Sequence, residues 1–143
     1  MRRVVTAFLL GVLLSFSGCA ALRQGSTVHK VTVAQHNLLT VVTAFEDAEI
    51  AEYNSGFVPA NVHLKIQQII KEVALASKDL DSTLVENASA PTIKTKIDVI
   101  YRLLDQLQTD GLTGIKNEKT KAVLELALNQ IKTILDVALT QVS

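Results

Sequence analysis

The chain has no tryptophan, one cysteine and two prolines in 143 residues, and its charged side chains balance to a formal net charge of zero. A single cysteine excludes an internal disulfide framework, and balanced charge gives no reason to expect nucleic acid as a partner. Aromatic residues make up 4% of the chain and hydrophobic residues 48%. That apolar content is too high for a disordered protein. We therefore expect one globular domain with an aliphatic core.

The N-terminal segment has the pattern of an export signal. Two arginines follow Met1, and the run over residues 4–22 carries no charge. The run contains Phe16-Ser17-Gly18-Cys19, which resembles the lipobox of bacterial lipoproteins. The resemblance implies a signal peptide over residues 1–18, lipid attachment at Cys19 and a short tether over residues 19–26. It also implies a lipid anchor in the cell envelope, with Ala20 favouring the periplasmic face of the outer membrane.

Two other outcomes stay open for this segment. Lipoproteins usually carry an aliphatic residue where this chain has Phe16, and ordinary signal peptidase cleaving after Ala20 would discard Cys19. The apolar run is also just long enough, at about 20 residues, for an uncleaved membrane anchor. Lipid attachment is favoured because it accounts for an unpaired cysteine in an exported protein.

Hydrophobic residues recur at steps of three and four in four later segments, which is the spacing of one helix face. No segment alternates with a period of two, so strands are not predicted. The predicted stripes are Val31, Leu38, Val41, Phe45 and Ala48; Val62, Ile66, Ile69, Val73, Ala76, Leu80 and Leu84; Ile93, Ile97, Ile100, Leu104 and Leu107; and Leu124, Leu128, Ile131, Leu135, Ala138 and Val142, with Leu126, Ile134 and Val137 widening the last.

Turn and cap residues separate the four stripes. Gly56 and Pro59 lie between the first two, Pro91 precedes the third, and Asn117 is placed to cap the fourth. Short connections make consecutive helices antiparallel. We therefore predict an all-α, antiparallel up-down-up-down four-helix bundle over residues 27–143. Both chain ends then lie at the membrane end, and loops 54–60 and 110–117 lie at the far end.

Those two far loops are unusually apolar. Tyr53, Phe57 and Val58 lie in or beside the first, and Leu112 and Ile115 in the second. One interpretation is a partner-binding patch formed by these five residues. The other is that they pack against the helix ends as hydrophobic staples.

Acidic residues crowd the end of the first predicted helix, where the helix dipole disfavours negative charge. Glu49 and Glu52 are among them, and His63 and Lys65 begin the next helix. Antiparallel packing predicts that Glu49 or Glu52 pairs with Lys65. The alternative is a site for a divalent cation or a basic partner.

The sequence assigns no catalytic residue, metal ligand or cofactor. It lacks the Glu-x-x-His pairs of di-iron bundles, a haem-attachment motif, a phosphate-binding loop and a nucleophile elbow. His29 and His36 are seven residues apart, too far to share a metal, and are expected on the surface. We do not expect an enzyme.

Two functions remain. The first is a small lipid-anchored envelope protein that acts by binding another envelope protein, as a scaffold, accessory subunit, inhibitor or immunity protein. The alternative is a periplasmic carrier that holds a lipid or another apolar ligand inside the bundle. The carrier cavity would be lined by Leu39, Val42, Ile69, Val73, Ile100, Leu128 and Ile131. The sequence does not indicate an oligomeric state.

Overall fold

A computed structural model describes residues 26–143 and folds them into four long helices. They are α1 (Thr27–Asn54), α2 (Ala60–Val85), α3 (Ala90–Gln106) and α4 (Glu118–Val142). The predicted signal peptide, Cys19 and nearly all of the tether lie outside the described residues. Within residues 26–143 there is no strand, and the predicted all-α fold is confirmed.

The helices form a four-sided bundle. α1 packs against α2 and α4, and α3 packs against the same two neighbours. Short loops reverse the chain after α1 and α2, and a longer turn reverses it after α3. The up-down-up-down topology is thus confirmed, and it places the start of α1 and the end of α4 at one end of the bundle.

The predicted stripes form the core. All of their primary members are buried except Ala76, which is partly buried, and Phe45 is the aromatic residue at the centre. The predicted widening of the last stripe is wrong for two residues, since Leu126 and Val137 are 56% and 37% exposed. They lie on the outer side of α4, beyond the reach of α1 and α3.

Gly56 and Asn117 mark helix ends as predicted, and Ser26 adds a cap that was not predicted. Ser26 precedes α1 and its side chain accepts a hydrogen bond from the backbone N–H of His29 at 3.3 Å. Gly56 follows α1 with a φ of 79°, a conformation that glycine adopts without strain. Asn117 caps α4 through a 3.0 Å hydrogen bond from the Thr120 backbone N–H to its Oδ1.

The turn after α3 is largely helical, where the sequence predicted a loop. A π-helical turn over Leu107–Gly111 continues directly into a 3₁₀ turn over Leu112–Gly114. Gly114 lies against Val62 on α2, so closely that an added Cβ would collide with the valine Cγ2. Glycine is therefore needed at this close approach, because the branched valine side chain has little freedom to move away.

Polar contacts tie α3 and the turn that follows it to α4. The Tyr101 hydroxyl donates to Asp136 Oδ1 at 3.2 Å. The Lys132 ammonium donates to Asp105 Oδ1 at 2.6 Å and to Gln108 Oε1 at 2.7 Å. Burial raises the pKa of the Tyr101 phenol above its ordinary value, and the charge and hydrogen bond of Asp136 raise it further.

This raised pKa gives a prediction for alkaline pH. The unfolded chain releases the Tyr101 proton at a lower pH than the folded protein does. The stability that the protonated Tyr101 phenol contributes is therefore lost as the pH rises through the folded pKa. We expect Asp136→Asn to lower the pKa of Tyr101 in an absorbance titration of the phenolate. Tyr101→Phe assigns the signal, since Tyr53 is the other tyrosine. An unchanged titration curve in Asp136→Asn would refute the assigned cause.

Candidate functional site

A buried carboxylate joins α1 to α2. Glu49 on α1 is fully buried, and His63 Nδ1 on α2 lies 3.0 Å from both of its carboxylate oxygens. The Gln67 amide donates to Glu49 Oε2 at 2.9 Å. An ionised Glu49 would accept both hydrogen bonds, with His63 in the tautomer that carries a proton on Nδ1. His63 and Gln67 are four residues apart, which places both on the side of α2 that faces Glu49.

The imidazole of His63 is also stacked on an aromatic ring. Tyr53, one turn after Glu49, lies parallel to it at a centroid distance of 3.9 Å and an interplanar angle of 5°. His63 is therefore held by the carboxylate at one side and by the phenol ring on its face. We call Glu49, Tyr53, His63 and Gln67 the buried polar cluster.

The predicted pairing of Glu49 or Glu52 with Lys65 is wrong. Glu49 pairs with His63, and Glu52 accepts a 2.6 Å hydrogen bond from the Thr120 hydroxyl on α4. Lys65 is exposed to solvent. It follows His63 by two residues, and about 200° of helical rotation turns it away from the α1–α2 interface.

A second polar contact joins α1 and α2 near the other end. The buried Gln35 amide donates to the backbone oxygen of Ser77 at 3.0 Å. The Ser77 hydroxyl is fully buried and has no hydrogen-bond partner among the described residues. A buried hydroxyl without a partner opposes folding.

We expect Ser77→Ala to raise the free energy of unfolding by up to about 1 kcal/mol, because it removes the unpaired hydroxyl and keeps the backbone contact with Gln35. Chemical denaturation measures the change. Ser82→Ala is the matched control, since Ser82 is on the same helix and exposed. A clear loss of stability in Ser77→Ala would show that the hydroxyl does have a partner.

The outer side of the α1–α2 pair carries large apolar side chains. Leu64 and Leu75 on α2 are 68% and 60% exposed, and Leu39 and Ile50 on α1 are 38% and 36% exposed. Each pair is separated by eleven residues. Eleven residues are close to three turns at about 3.6 residues per turn, so both members of a pair lie on one side of their helix.

An open groove runs between these two pairs. It is lined by Glu46 of α1 and by Gln67, Gln68, Ile70, Lys71 and Ala74 of α2. We call this groove, together with Leu39, Ile50, Leu64 and Leu75, the α1–α2 face. The buried polar cluster lies beneath one end of it, and Gln67 belongs to both.

The five residues predicted as a partner-binding patch do not form an exposed surface. Val58, Leu112 and Ile115 are buried, at 2%, 0% and 2% exposure. Tyr53 and Phe57 are half-buried, and Tyr53 is occupied by its stacking with His63. Packing against the helix ends, the second interpretation, fits the buried residues of this set.

The residues predicted to line a carrier cavity belong to the packed core with one exception. Val42, Ile69, Val73, Ile100, Leu128 and Ile131 are buried in the hydrophobic cluster. Leu39 is instead exposed and belongs to the α1–α2 face.

Two further properties of the described residues concern metal binding and membrane spanning. Within residues 26–143, no three His, Cys, Asp or Glu side chains are grouped so that they could hold a metal ion. His29 and His36 are exposed, as predicted. None of the four described helices is long and apolar enough to cross a membrane.

Comparisons with family models, curated proteins and solved structures found no match to this chain. The candidate site therefore depends on its own geometry. Sequence patterns located the helices that carry the α1–α2 face but missed the face itself. The eleven-residue spacing of Leu64 and Leu75, off the main stripe of α2, was the available signal.

Proposed function

We propose that the protein is a lipid-anchored module of the cell envelope that binds another protein through the α1–α2 face. The exposure of four large aliphatic side chains around one groove carries this proposal. Clustered apolar side chains on a surface are typical of protein-interaction sites. The lipobox-like tetrad ending at Cys19 supports the anchor.

The composition of the face suits a protein partner. Its apolar side chains stand at the edges, while Glu46, Gln67, Gln68 and Lys71 supply polar groups between them. Protein interfaces combine apolar contacts with several hydrogen bonds, although their apolar part usually lies at the centre. A partner that contacts both helices would bury the four apolar side chains and keep the central polar groups hydrogen-bonded.

The contacts beneath the face hold it rigid. The buried polar cluster and the Gln35–Ser77 contact join α1 to α2 at two well-separated points. Neither helix can slide along the other without breaking them. A preformed surface loses little conformational entropy on binding, which favours affinity.

The tether would keep this face near the membrane. Residues 20–26 reach roughly 25 Å when fully extended, at about 3.3 Å per residue. The bundle would therefore stand close to the bilayer, with its helices leading away from the lipid. A partner in the same membrane would contact the α1–α2 face from the side, along the length of the helices.

Site-specific photo-crosslinking of the full chain in its native envelope tests the binding role. We expect a photoreactive residue at Leu64 to give an adduct that is abolished by Leu75→Asp on the same face. Leu126→Asp, an exposed leucine on α4, should leave that adduct unchanged. Equal crosslinking from Arg102, which is exposed on α3, would contradict a specific face.

A further inference from the structure

We propose that the partner of the α1–α2 face is a second copy of this chain, related by a two-fold axis parallel to the helices. This inference rests on the proposed lipid anchor and on the proposed binding role of the face. It follows from the register of α1 and α2, from the charges in the groove, and from the position of the chain ends.

The register of the two helices is fixed by their polar contacts. Glu49 contacts His63, and Gln35 contacts Ser77. A step of fourteen residues along α1 thus matches a step of fourteen residues back along α2. Any residue of α1 can therefore be assigned the residue of α2 that lies at its height.

By this register, Leu39 is level with Val73, and Leu75 lies two residues further along α2. Two residues are about 3 Å of helical rise. The same holds at the other end of the face, where Ile50 is level with Val62 and Leu64 is two residues beyond. The four apolar side chains therefore stand near the corners of a rectangle, two at each of two heights.

A two-fold axis parallel to the helices keeps every height unchanged and places α2 of the second copy opposite α1. Leu39 then meets Leu75 of the second copy, and Ile50 meets Leu64 of the second copy. Because the relation is mutual, every corner of the rectangle finds an apolar partner. Such self-complementarity is the requirement for a closed dimer.

The charges in the groove favour this axis over one perpendicular to the helices. With the parallel axis, Glu46 faces the α2 side of the second copy, whose Lys71 is within about 8 Å along the axis. With a perpendicular axis, each helix would face its own copy. Glu46 would then lie near Glu46 and Lys71 near Lys71, which places like charges together.

The positions of the chain ends also favour the two-fold axis parallel to the helices. The start of α1 and the end of α4 lie at one end of the bundle. The parallel axis leaves that end of both copies pointing the same way, so two lipids on Cys19 enter one bilayer. A perpendicular axis sends the two ends in opposite directions, beyond the reach of the short tether.

The whole outer side of the α1–α2 pair, of which the α1–α2 face is the middle part, has the area of a stable dimer interface. α1 has 28 residues and is about 42 Å long at about 1.5 Å per residue. Two packed helices present a width of about 20 Å, which gives an area of about 840 Å². Specific interfaces of standard size bury about 800 Å² on each partner.

Cysteine crosslinking of the full chain in isolated membranes tests the arrangement. One tagged copy carries Leu39→Cys and a differently tagged copy carries Leu75→Cys, and a short bismaleimide joins them. We expect the mixed adduct to form, to be lost with Glu46→Lys in both copies, and to return when Lys71→Glu is added. The pair Arg102→Cys and Thr133→Cys, exposed on α3 and α4, is the matched control and should not crosslink. The unsubstituted chain, treated with the same bismaleimide, shows whether Cys19 itself reacts.

Other outcomes would overturn the inference. A stronger adduct between Leu39→Cys and Ile50→Cys would establish the perpendicular axis instead. Absence of any chain-to-chain adduct, with a Leu64 photo-adduct of another mass, would replace the second copy by a different protein and leave the proposed binding role standing. If both experiments give no adduct, the binding role fails as well.

Discussion

Replacing His63 with leucine is expected to lower the free energy of unfolding by about 3 kcal/mol, the upper end of the usual penalty when a buried polar group loses its hydrogen-bond partner. The fully buried Glu49 carboxyl group would lose the imidazole that lies 3.0 Å from both of its oxygens. The Gln67 amide alone cannot replace that contact, and the stacking with Tyr53 is lost as well. Denaturation by urea, followed by circular dichroism, measures the change.

The double variant Glu49→Leu with His63→Leu separates this mechanism from a simple loss of packing. Exchanging both partners for apolar residues removes the buried carboxyl group together with its hydrogen-bond partner, and such exchanges are often nearly neutral or stabilising. We therefore expect the double variant to be more stable than His63→Leu alone. A double variant at least as unstable as the single one would contradict the account.

Lys65→Leu is the matched control on the same helix. The exposed Lys65 makes no contact with Glu49 in the structure, whose carboxylate is occupied by His63 and Gln67. Surface substitutions of this kind usually change stability by no more than about 0.5 kcal/mol. A large loss in Lys65→Leu would mean that the lysine, rather than the histidine, pairs with the acidic end of α1.

Phe45→Ala is the second substitution with a large expected effect. Phe45 is fully buried where α1 faces the other helices, and truncation of a buried phenylalanine to alanine costs about 3–5 kcal/mol. The loss combines the burial of the ring with the cavity that remains. Phe57→Ala, which removes the same ring from a half-buried position after α1, should cost clearly less. Equal losses at both positions would contradict the placement of Phe45 at the core.

The sequence was sufficient for the bundle because its signals are local. Gly56 and Asn117 end or begin helices through contacts within one turn, and they do so as predicted. Hydrophobic periodicity likewise identifies the centre of each buried stripe. The edges of a stripe depend on where neighbouring helices lie, which explains why Leu126 was wrongly assigned to the core.

The candidate site was less predictable because it depends on the rotation of one helix against another. The sequence placed acidic residues opposite His63 and Lys65, but a difference of about 200° between these two positions decides which one meets Glu49. That rotation is set by the whole core. The π-helical turn at Leu107–Gly111 was not predicted either, because it packs against α2 and depends on the same core. Leu112 and Ile115, which follow it, are buried.

Intact mass spectrometry of the full chain expressed in a bacterial host, compared with a Cys19→Ser variant, tests the lipid anchor on which both proposals depend. We expect a mature protein that begins at Cys19 and carries the mass of attached acyl chains, with that mass lost in the variant. A mature protein that begins at Ala21 without lipid would contradict the account. It would remove the membrane constraint on the two-fold axis and leave a secreted bundle in place of an anchored one.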